Sequence, residues 1–429
     1  MTTTIAKKNM PELRFFDEKG VKYSDWKTYK LNECFNFHRT NSLSRSQLNT
    51  AGRGIKNIHY GDVHMSFGTH LDVLKDNLPY INNDIEKNTK EDDYCVKGDI
   101  VIADASEDRT DVGKAVEILE TNGEKILAGL HTLLLRPKKE DFTLGFMGFL
   151  FATTNIRRQV MRLATGASVL GISKNSLTGI NINIPEKKEQ EKISNFLLAI
   201  DRWINNIKAQ KQNLEEYKRG MMQKIFSQEV RFKDDNGKYF PAWEESSLKD
   251  IFKKRSARNN GSEHKNVLTN SAQYGVVNQS EYFDKDIANQ DNLTNYYVVE
   301  TDDFVYNPRI SKFAPVGPFK RNKNGRGIMS PLYTILRLGK GNLSFYEYYF
   351  GTNLWHRYMF KISNFGARHD RMNIRGEDFM KMPIPFPDTK EQEKIASFLI
   401  AIDKLISMKA EQVKNAETWK KGLLQKMFV

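Results

Sequence analysis

Cysteine is scarce in this chain of 429 residues, in which Cys34 and Cys95 are the only two. Two cysteines cannot build the disulfide framework of a small secreted protein, and so few fit a reducing compartment. No apolar run approaches the roughly 18 residues of a membrane helix, because the longest, 144–152, is interrupted by two glycines. The opening MTTTIAKKNM has lysines but no apolar segment, so a secretory signal is not expected. These absences exclude the secreted and membrane classes and predict a cytoplasmic protein.

The sequence also lacks the motifs that identify enzymes. It contains no G-x-x-x-x-G-K-[ST] phosphate loop and no glycine fingerprint for a dinucleotide or S-adenosylmethionine. Segment 307–310 (NPRI) lacks the second proline and the aromatic residue of the amino-methyltransferase motif, so we interpret it as the exit from a strand. His59, His64 and His70 are five and six residues apart, a spacing that places no two on one helical face. We predict no catalytic residue and no metal site.

The sequence does contain a long internal repeat. Residues 189–226 and 391–428 align without a gap, with 19 of 38 positions identical and 10 of the first 13. Both begin EQEKI-x-x-FL-x-AID and end Lys/Arg-Gly-x-x-Gln-Lys-x-Phe. Weaker matches open each half, where Arg-Phe is followed by Trp26 in the first and by Trp243 in the second. The chain is therefore two variable bodies, each closed by a strongly repeated tail.

The bodies have a mixed α+β pattern. Short strand-like runs at 100–103, 132–135 and 334–338 alternate with turns rich in glycine and asparagine, which favours a compact α+β domain. Asn-Gly pairs at 122–123 and 324–325 are 202 residues apart and lie between apolar runs. They predict a β-hairpin with a tight turn that both bodies share.

The tails have the three–four apolar spacing of a helix with one buried stripe. A helix of 38 residues is about 57 Å long, and two of them paired through their stripes would form a rod that holds the bodies apart. The alternative is two separate helices, each packed on its own body. Thr389 and Gln392 have the spacing of a capping box at the second helix start. The predicted domains are 1–186, 187–228, 229–388 and 389–429.

The basic excess suits a polyanionic partner. The chain has 66 basic and 53 acidic residues, a net charge of +13, and both tails are net positive. Basic clusters recur in both bodies, where lysine and arginine can neutralise phosphates or read base edges. Lys253, Arg255, Arg157 and Arg158 are our candidates for phosphate contact. For base or near-base contact the candidates are Arg109, Arg309 and Lys312. The predicted DNA-binding set is completed by Lys174, Arg368 and Arg371.

This architecture closely resembles the specificity subunits of type I restriction-modification enzymes. The two EQEKI-x-x-FL-x-AID segments, the Gly-x-x-Gln-Lys-x-Phe ends and the Arg-Phe…Trp openings carry the resemblance, which covers nearly the whole chain from about Pro11. It implies two similar target-recognition domains separated by two long antiparallel coiled-coil helices. Each domain would read one half of a bipartite, asymmetric site in double-stranded DNA. The family does not supply the base-contacting residues, because the target-recognition domains are its divergent part.

The resemblance also implies partners. The helices would dock two modification (methyltransferase) subunits, and restriction subunits would join through the complex. S-adenosylmethionine, ATP and Mg²⁺ would be bound by those subunits, and this chain would bind no cofactor. Tyr217, Gly220, Trp419 and Gly422, at equivalent positions near the helix ends, are our partner-docking candidates. Three alternatives stay open: a stand-alone DNA-binding decoy, a non-catalytic coiled-coil scaffold without a nucleic-acid role, and an enzyme with an unrecognised site.

Overall fold

The computed structural model describes residues 10–82, 89–138, 141–260, 263–282, 290–365 and 370–429. The chain divides into two compact units, one formed by Met1–Lys208 with Glu411–Val429 and the other by Ala209–Ala410. Each unit therefore contains one body, the first half of one long helix and the second half of the other. The divisions fall near Gln210 and Lys409, in the middle of the two repeated tails. No helix among the described residues is both long and apolar enough for a membrane span.

The first body consists of short strands and short helices, followed by one long helix. Its strands are β1 (Lys27–Lys30), β2 (Phe35–His38), β3 (Leu48–Asn49), β4 (Lys56–Ile58), β5 (His70–Asp72), β6 (Tyr80–Ile81), β7 (Ile100–Ala103), β8 (Ala105–Ser106), β9 (Ala115–Glu120), β10 (Ile126–Ala128), β11 (Thr132–Pro137), β12 (Leu170–Gly171) and β13 (Asn181–Ile184). Its helices are α1 (Leu31–Cys34), α2 (Tyr60–Met65), α3 (Phe146–Ala152), α4 (Thr154–Leu163) and α5 (Lys174–Leu177), and the long helix is α6 (Lys187–Phe226).

The centre of this body is a five-stranded sheet in the order β2-β11-β7-β9-β5. Its pairs are antiparallel except β5 with β9. A second sheet has the order β10-β4-β6-β3, and β12 pairs with β8. Strands β1 and β13 form an antiparallel ribbon between the two ends of the body, which brings the start of α6 next to the first strand.

The second body repeats this plan with fewer strands. Its strands are β14 (Glu244–Ser247), β15 (Phe252–Arg255), β16 (Leu268–Ser271), β17 (Gly275–Asn278), β18 (Tyr297–Val299), β19 (Phe304–Tyr306), β20 (Phe319–Arg321), β21 (Gly327–Met329), β22 (Thr334–Leu338), β23 (Asn364–Phe365), β24 (Met372–Asn373) and β25 (Pro383–Phe386). Its helices are α7 (Leu248–Ile251), α8 (Gln279–Tyr282), α9 (Leu343–Phe350), α10 (His356–Ile362) and α11 (Gly376–Met380), and the final long helix is α12 (Thr389–Met427).

The two bodies share one framework. The ribbon β14–β25 corresponds to β1–β13, and the sheet β15-β22-β19-β20 corresponds to β2-β11-β7-β9. Six further strands of the second body form three antiparallel pairs: β16 with β17, β18 with β21, and β23 with β24. The α+β class and the two long helices that the resemblance implied are confirmed. The strand predictions are confirmed at β7 and β22, and the third run lies within β11.

In each unit, one half of α6 lies with the opposite half of α12. Within the first unit, Lys208 meets Glu417 at 2.7 Å and Asp201 meets Lys420 at 2.5 Å, so the two helix halves run antiparallel. The apolar stripe of α6 enters the core of this unit through Ile193, Leu197 and other residues of the same face. The alternative in which each helix packs only on its own body is wrong.

The last aromatic residue of each repeated tail explains why the repeat ends as it does. Phe428 packs on Trp26 of the first body, with ring centroids 5.9 Å apart. Phe226 packs in the same way on Trp243 of the second body, at 6.3 Å. Each body therefore holds the start of one long helix and the end of the other.

Two local predictions are wrong. The Asn122-Gly123 pair does form a tight turn with positive φ at both residues, but β9 and β10 do not pair with each other, since β10 lies parallel to β4. The same holds in the second body, where β20 pairs with β19 and β21 with β18. The capping box of Thr389 and Gln392 does not form either. Asp388 caps α12, because its side chain accepts from the Lys390 amide at 2.8 Å.

Candidate nucleic-acid interface

The first repeated Glu-Gln pair joins body to helix through a buried charge. Glu189 is fully buried and accepts two hydrogen bonds from Arg14, at 2.9 and 2.7 Å. The indole of Trp26 donates to the same carboxylate at 3.2 Å. The next residue, Gln190, donates to the Pro185 carbonyl at 2.9 Å. The motif therefore fixes the first turn of α6 against the first body.

The second copy builds the same junction with looser geometry. Glu391 is also fully buried and accepts from Trp243 at 2.9 Å, but Arg231 reaches it only once, at 3.3 Å. Its second carboxylate oxygen has no hydrogen-bond partner among the described residues. Burial raises the pKa of the Glu391 carboxyl. Gln392 repeats the role of Gln190, donating to the Pro387 carbonyl at 2.8 Å.

A groove of mixed polar and apolar lining opens at the carboxyl end of β19 in the second body. Its volume is about 490 Å³. Asn307 follows β19 directly, which confirms the predicted strand exit, and Tyr333 directly precedes the neighbouring strand β22. Most of the other groove residues lie on β16, the turn after it, and the 308–318 loop: Thr269, Asn270, Ser271, Ala272, Gln273, Pro308, Arg309, Ile310, Ser311, Phe313 and Pro318. The rest are Gln279 at the start of α8, Ser330 and Leu332 between β21 and β22, and Arg371 just before β24.

Two of the predicted DNA-binding residues, Arg309 and Arg371, line the groove, and a third, Lys312, lies on the loop beside it. Arg309 and Arg371 face each other across an antiparallel bridge. Each places its Nε near one carboxylate oxygen of Asp370, at 3.8 Å for Arg309 and 3.9 Å for Arg371. These separations are ion-pair distances and not hydrogen bonds. Lys312 lies exposed on the same loop. The structure thus collects Arg309, Lys312 and Arg371 at one site with a net positive charge.

The first body has different side chains at the equivalent place. Asp104 follows β7 and His131 precedes β11, with His131 Nδ1 3.5 Å from Asp104 Oδ1. Burial raises the pKa of Asp104, and nearby His131 opposes that rise. The Tyr60 ring packs edge-on against His131, with centroids 5.4 Å apart. By the strand registers, Ala103 and Thr132 occupy the positions that Asn307 and Tyr333 occupy in the second body, and Asp104 and His131 lie one residue further from the paired strands.

The loop after β7 is anchored by the arginines predicted there. Arg157 on α4 is partly buried and donates to the carbonyls of Thr110 and Val112 at 2.8 and 2.7 Å. Burial lowers the pKa of Arg157. Arg109 is exposed and donates to the Met161 carbonyl at 3.2 Å. The Arg157 contacts favour a role in positioning the loop.

The remaining predicted contact residues are spread over both bodies. Arg158 is exposed on α4, and Lys174 is exposed with its ammonium 5.0 Å from the Phe37 ring centre. Lys253 and Arg255 are exposed on β15, which pairs only with β22 among the described strands. Arg368 lies outside the described residues.

The partner-docking candidates lie on exposed parts of the long helices. Tyr217 and Trp419 are each about half exposed, and Trp419 touches only the edge of Phe196 among described aromatic rings. A Cβ added at Gly220 or Gly422 would meet no atom within 4 Å, so neither glycine serves a close approach within the described chain. Both helices continue through their glycine without a break.

Sequence reasoning missed several groove residues, including Phe313, Asn307 and Tyr333. The missed signal was the register of the two bodies, in which Asn307 corresponds to Ala103 and Tyr333 to Thr132. The three histidines serve separate purposes, and His64 has its Nε2 2.9 Å from the Ala105 carbonyl oxygen. His59 accepts from the Gly61 amide at the start of α2, while His70 is buried beside Glu117. Within the described residues, no group of three or more potential ligands could hold a metal ion.

Comparison with known proteins agrees with the architecture. The family model described as type I restriction modification DNA specificity domain matches residues 23–216 and 242–417. A Methanocaldococcus jannaschii protein named as the MjaX specificity subunit of a type I restriction enzyme is 26% identical over 444 residues, covering 96% of each chain. The MjaVIII specificity subunit of the same organism is 24% identical over 294 residues, covering 64% of this chain and 68% of its own.

Two solved structures share the fold. The S subunit of a type I restriction-modification system from M. genitalium superposes with a TM-score of 0.52 at 12% identity, covering 98% of this chain and 99% of that one. A chain from a structure on complex assembly and conformational transition of the type I R-M system gives 0.56 at 14% identity, covering 95% and 98%. Since the family model matches most of the chain in two copies, this protein belongs to the type I restriction-modification DNA specificity family, as the resemblance predicted.

Proposed function

We propose that this chain is the DNA sequence-specificity subunit of a type I restriction-modification complex, in which each body reads one half of a bipartite, asymmetric site. The observation that carries the proposal is the shared strand framework with different side chains at equivalent strand positions. Ala103 and Thr132 in one body stand where Asn307 and Tyr333 stand in the other, and the adjacent Asp104 and His131 correspond to Pro308 and Leu332. Two bodies with the same framework and different side chains would recognise two different half-sites. The paired helices would set the gap between those half-sites.

The contacts divide into two classes. Exposed cations away from the grooves would contact phosphates, which position the protein without reading sequence: Arg158, Lys174, Lys253 and Arg255. Residues near the grooves would contact bases, where arginine pairs best with guanine: Arg109, Arg309, Lys312 and Arg371. Arg368 belongs to the proposed set through its place in a basic cluster of the sequence. We assign Arg157 to positioning the 104–114 loop.

Chemistry would be supplied by other subunits. We propose that two modification subunits dock on the long helices and that restriction subunits join the complex through them. S-adenosylmethionine, ATP and Mg²⁺ would bind those partners, with adenine N6 methylation and DNA cleavage carried out there. The chain itself would be non-catalytic and cytoplasmic, where its DNA is.

The proposal is tested by exchanging residues 229–388 for the matching segment of a relative with a different target. Because each body is a separate reader, one half of the methylated motif is expected to change and the other to stay. The measurement is genome-wide mapping of methylated adenines in cells with matched modification subunits. Exchange of residues 11–186 is the reciprocal control and should change the opposite half. A change in both halves after either exchange would contradict two independent readers, and no methylation at all would favour a decoy or scaffold.

A second prediction concerns docking of the modification subunits. The double variant Gly220→Leu with Gly422→Leu is expected to lose co-purification with the modification subunit, because leucine fills the open space beside each helix. Its own fold should persist, since leucine favours a helix over glycine by roughly 1 kcal/mol. Size-exclusion chromatography of the co-expressed subunits reads out assembly, and circular dichroism of the chain checks its helices.

The matched control places the same leucines at Asn213 and Lys414, two other exposed positions of these helices. Assembly that survives in the glycine variant would rule out these glycines as docking positions. Assembly lost equally in the control would show that any added bulk on the helices has the same effect.

A further inference from the structure

An apolar side chain stands free at the tip of the second body's groove loop. Phe313 is 70% exposed, the highest value for an aromatic residue among the described part of the chain. Single exposed apolar residues are common on protein surfaces and by themselves need no explanation. The local geometry makes this one different, because its loop is stiff and its neighbours are cations.

The loop holds Phe313 on a tight turn. Ser311 and Ala314 exchange backbone hydrogen bonds of 3.0 and 3.1 Å, so Lys312 and Phe313 alone form the tip. The base of the loop is fixed as well. Ile310 donates to the Asp370 carbonyl at 3.0 Å, and the Gly317 amide donates back to Ala314 at 3.0 Å. A stiff tip loses little conformational freedom when it meets a ligand.

The cations around the tip indicate that the loop contacts DNA. Lys312 is its neighbour, and the Arg309 side chain is 65% exposed. In a complex with DNA these two would reach phosphates or groove edges, and the exposed ring on the same loop would then come to the level of the bases. Phenylalanine has no donor or acceptor for reading a base edge. Its gain comes from leaving water, and apolar wedges of this kind insert between base steps in proteins that distort DNA.

We propose that Phe313 enters the base stack of the second half-site as a wedge, with Lys312 and Arg309 holding the strands beside it. This inference rests on the proposed function, because it needs the second body to read DNA. The wedge would be confined to this half-site. The equivalent loop of the first body, 104–114 (DASEDRTDVGK), has no aromatic residue and carries Asp108 and Arg109 where the second body has Lys312 and Phe313. The bodies would then differ in how they deform DNA as well as in which bases they read.

The test uses the complex purified from cells through a tag on this chain, and duplexes that contain the mapped motif. 2-Aminopurine, whose fluorescence rises when it unstacks, is placed at successive positions of the second half-site. We expect at least one position to brighten with the wild-type complex and to stay dark with Phe313→Ala. The alanine variant should also bind the motif about 10- to 100-fold more weakly, with unchanged binding to a scrambled duplex.

Two controls isolate the wedge. Phe313→Leu keeps an apolar wedge and should retain most of the fluorescence change. Phe360→Ala, which removes a half-exposed phenylalanine from α10 of the same body, should alter neither readout. 2-Aminopurine in the first half-site should respond alike to wild type and Phe313→Ala.

The outcomes separate this inference from the proposed function. If the wild-type complex prefers its motif but Phe313→Ala matches it in affinity and fluorescence, the wedge is overturned and the proposed function stands. Weaker binding by Phe313→Ala without any wild-type fluorescence change also overturns the wedge, since it would place the ring against a groove edge such as a thymine methyl group. A wild-type complex without preference for its motif would overturn the proposed function itself.

Discussion

Replacing Arg14 with alanine is expected to lower the free energy of unfolding of the first unit by about 3–5 kcal/mol. The Arg14 side chain is only 7% exposed and meets a fully buried carboxylate through two hydrogen bonds. Those bonds raise the pKa of Arg14. Without the guanidinium, the Glu189 carboxylate keeps only the Trp26 indole as a described partner. A buried charge left in this way is among the costliest single changes in a protein.

The second copy of the junction provides a matched comparison within the same chain. Arg231 makes one long hydrogen bond to Glu391, and two further bonds to the carbonyls of Phe240 and Pro241. Because burial raises the pKa of Glu391, this carboxyl accepts a proton more readily once its partner is gone. We therefore expect Arg231→Ala to cost only about 1–2 kcal/mol, although the sequence motif is the same.

Hydrogen exchange measured by mass spectrometry resolves the two junctions separately. Protection of amides in 189–197 should fall sharply in Arg14→Ala, while that of 391–399 should fall modestly in Arg231→Ala. The double variant Arg14→Leu with Glu189→Gln removes both charges and keeps an acceptor for Trp26, so it should recover much of the loss. Equal losses at the two junctions, or no recovery in the double variant, would show that the pairing geometry does not decide their stability.

The sequence was sufficient for the parts of the fold that depend on local pattern. The strands β7 and β22 are short apolar runs bounded by turns, and both long helices follow from three–four spacing over many turns. The incorrect hairpin prediction at Asn122-Gly123 shows the limit of what local sequence pattern can predict. The turn at Asn122 forms, but β10 pairs with β4, more than 60 residues away in sequence. A strand's neighbour depends on long-range packing that a turn motif does not encode.

The site shows the same division. Repetition identified the Glu-Gln motif, but the burial of Glu189 and its bidentate partner appear only when the β1–β13 ribbon closes the body. The basic residues were visible in the sequence, yet the structure gives them unequal surroundings. Arg157 donates to backbone carbonyls while Arg309 and Arg371 meet at a groove. Phe313 had no sequence signal, because exposure of an aromatic residue is a property of the folded loop.

A buried acid and histidine in the first body predict an unusual dependence of stability on pH. Glu117 accepts hydrogen bonds from the amides of Gly145 and Gly148 at 2.7 and 2.6 Å. His70 lies 3.8 Å from the same carboxylate and bonds to the Gly145 carbonyl oxygen at 2.8 Å. Burial raises the pKa of Glu117 to about 7 and lowers that of His70 to about 4. The glycine at 148 is needed because a Cβ there would lie 2.6 Å from the His70 ring.

The two shifts have opposite consequences for stability. The raised pKa of Glu117 means that its stabilising contribution is full below about pH 4.5 and is lost as pH rises through 7. The lowered pKa of His70 means that its contribution is full above about pH 6.5 and is lost as pH falls through 4. Each shift corresponds to about 3 kcal/mol. Between about pH 4.5 and 6.5 the folded pair holds one proton, on Glu117, and the unfolded pair also holds one proton, on His70. The contributions of the two groups to the free energy of unfolding therefore change with pH in opposite directions and cancel.

Single substitutions are expected to reveal the pH dependence of stability that each of the two groups contributes. Relative to wild type, His70→Phe should become more destabilised by about 3 kcal/mol between pH 4 and 6.5, because the contribution it lacks grows with pH. Glu117→Gln should behave in the opposite sense and become less destabilised, by a similar amount, between pH 4.5 and 7. The measurement is urea unfolding of the full chain at several pH values, with each variant compared to wild type so that all other titrating groups cancel. The double variant should again show a flat difference from wild type. Flat difference curves for both single variants would mean that neither side chain changes its pKa on folding, and that the pair serves only to hold the start of α3.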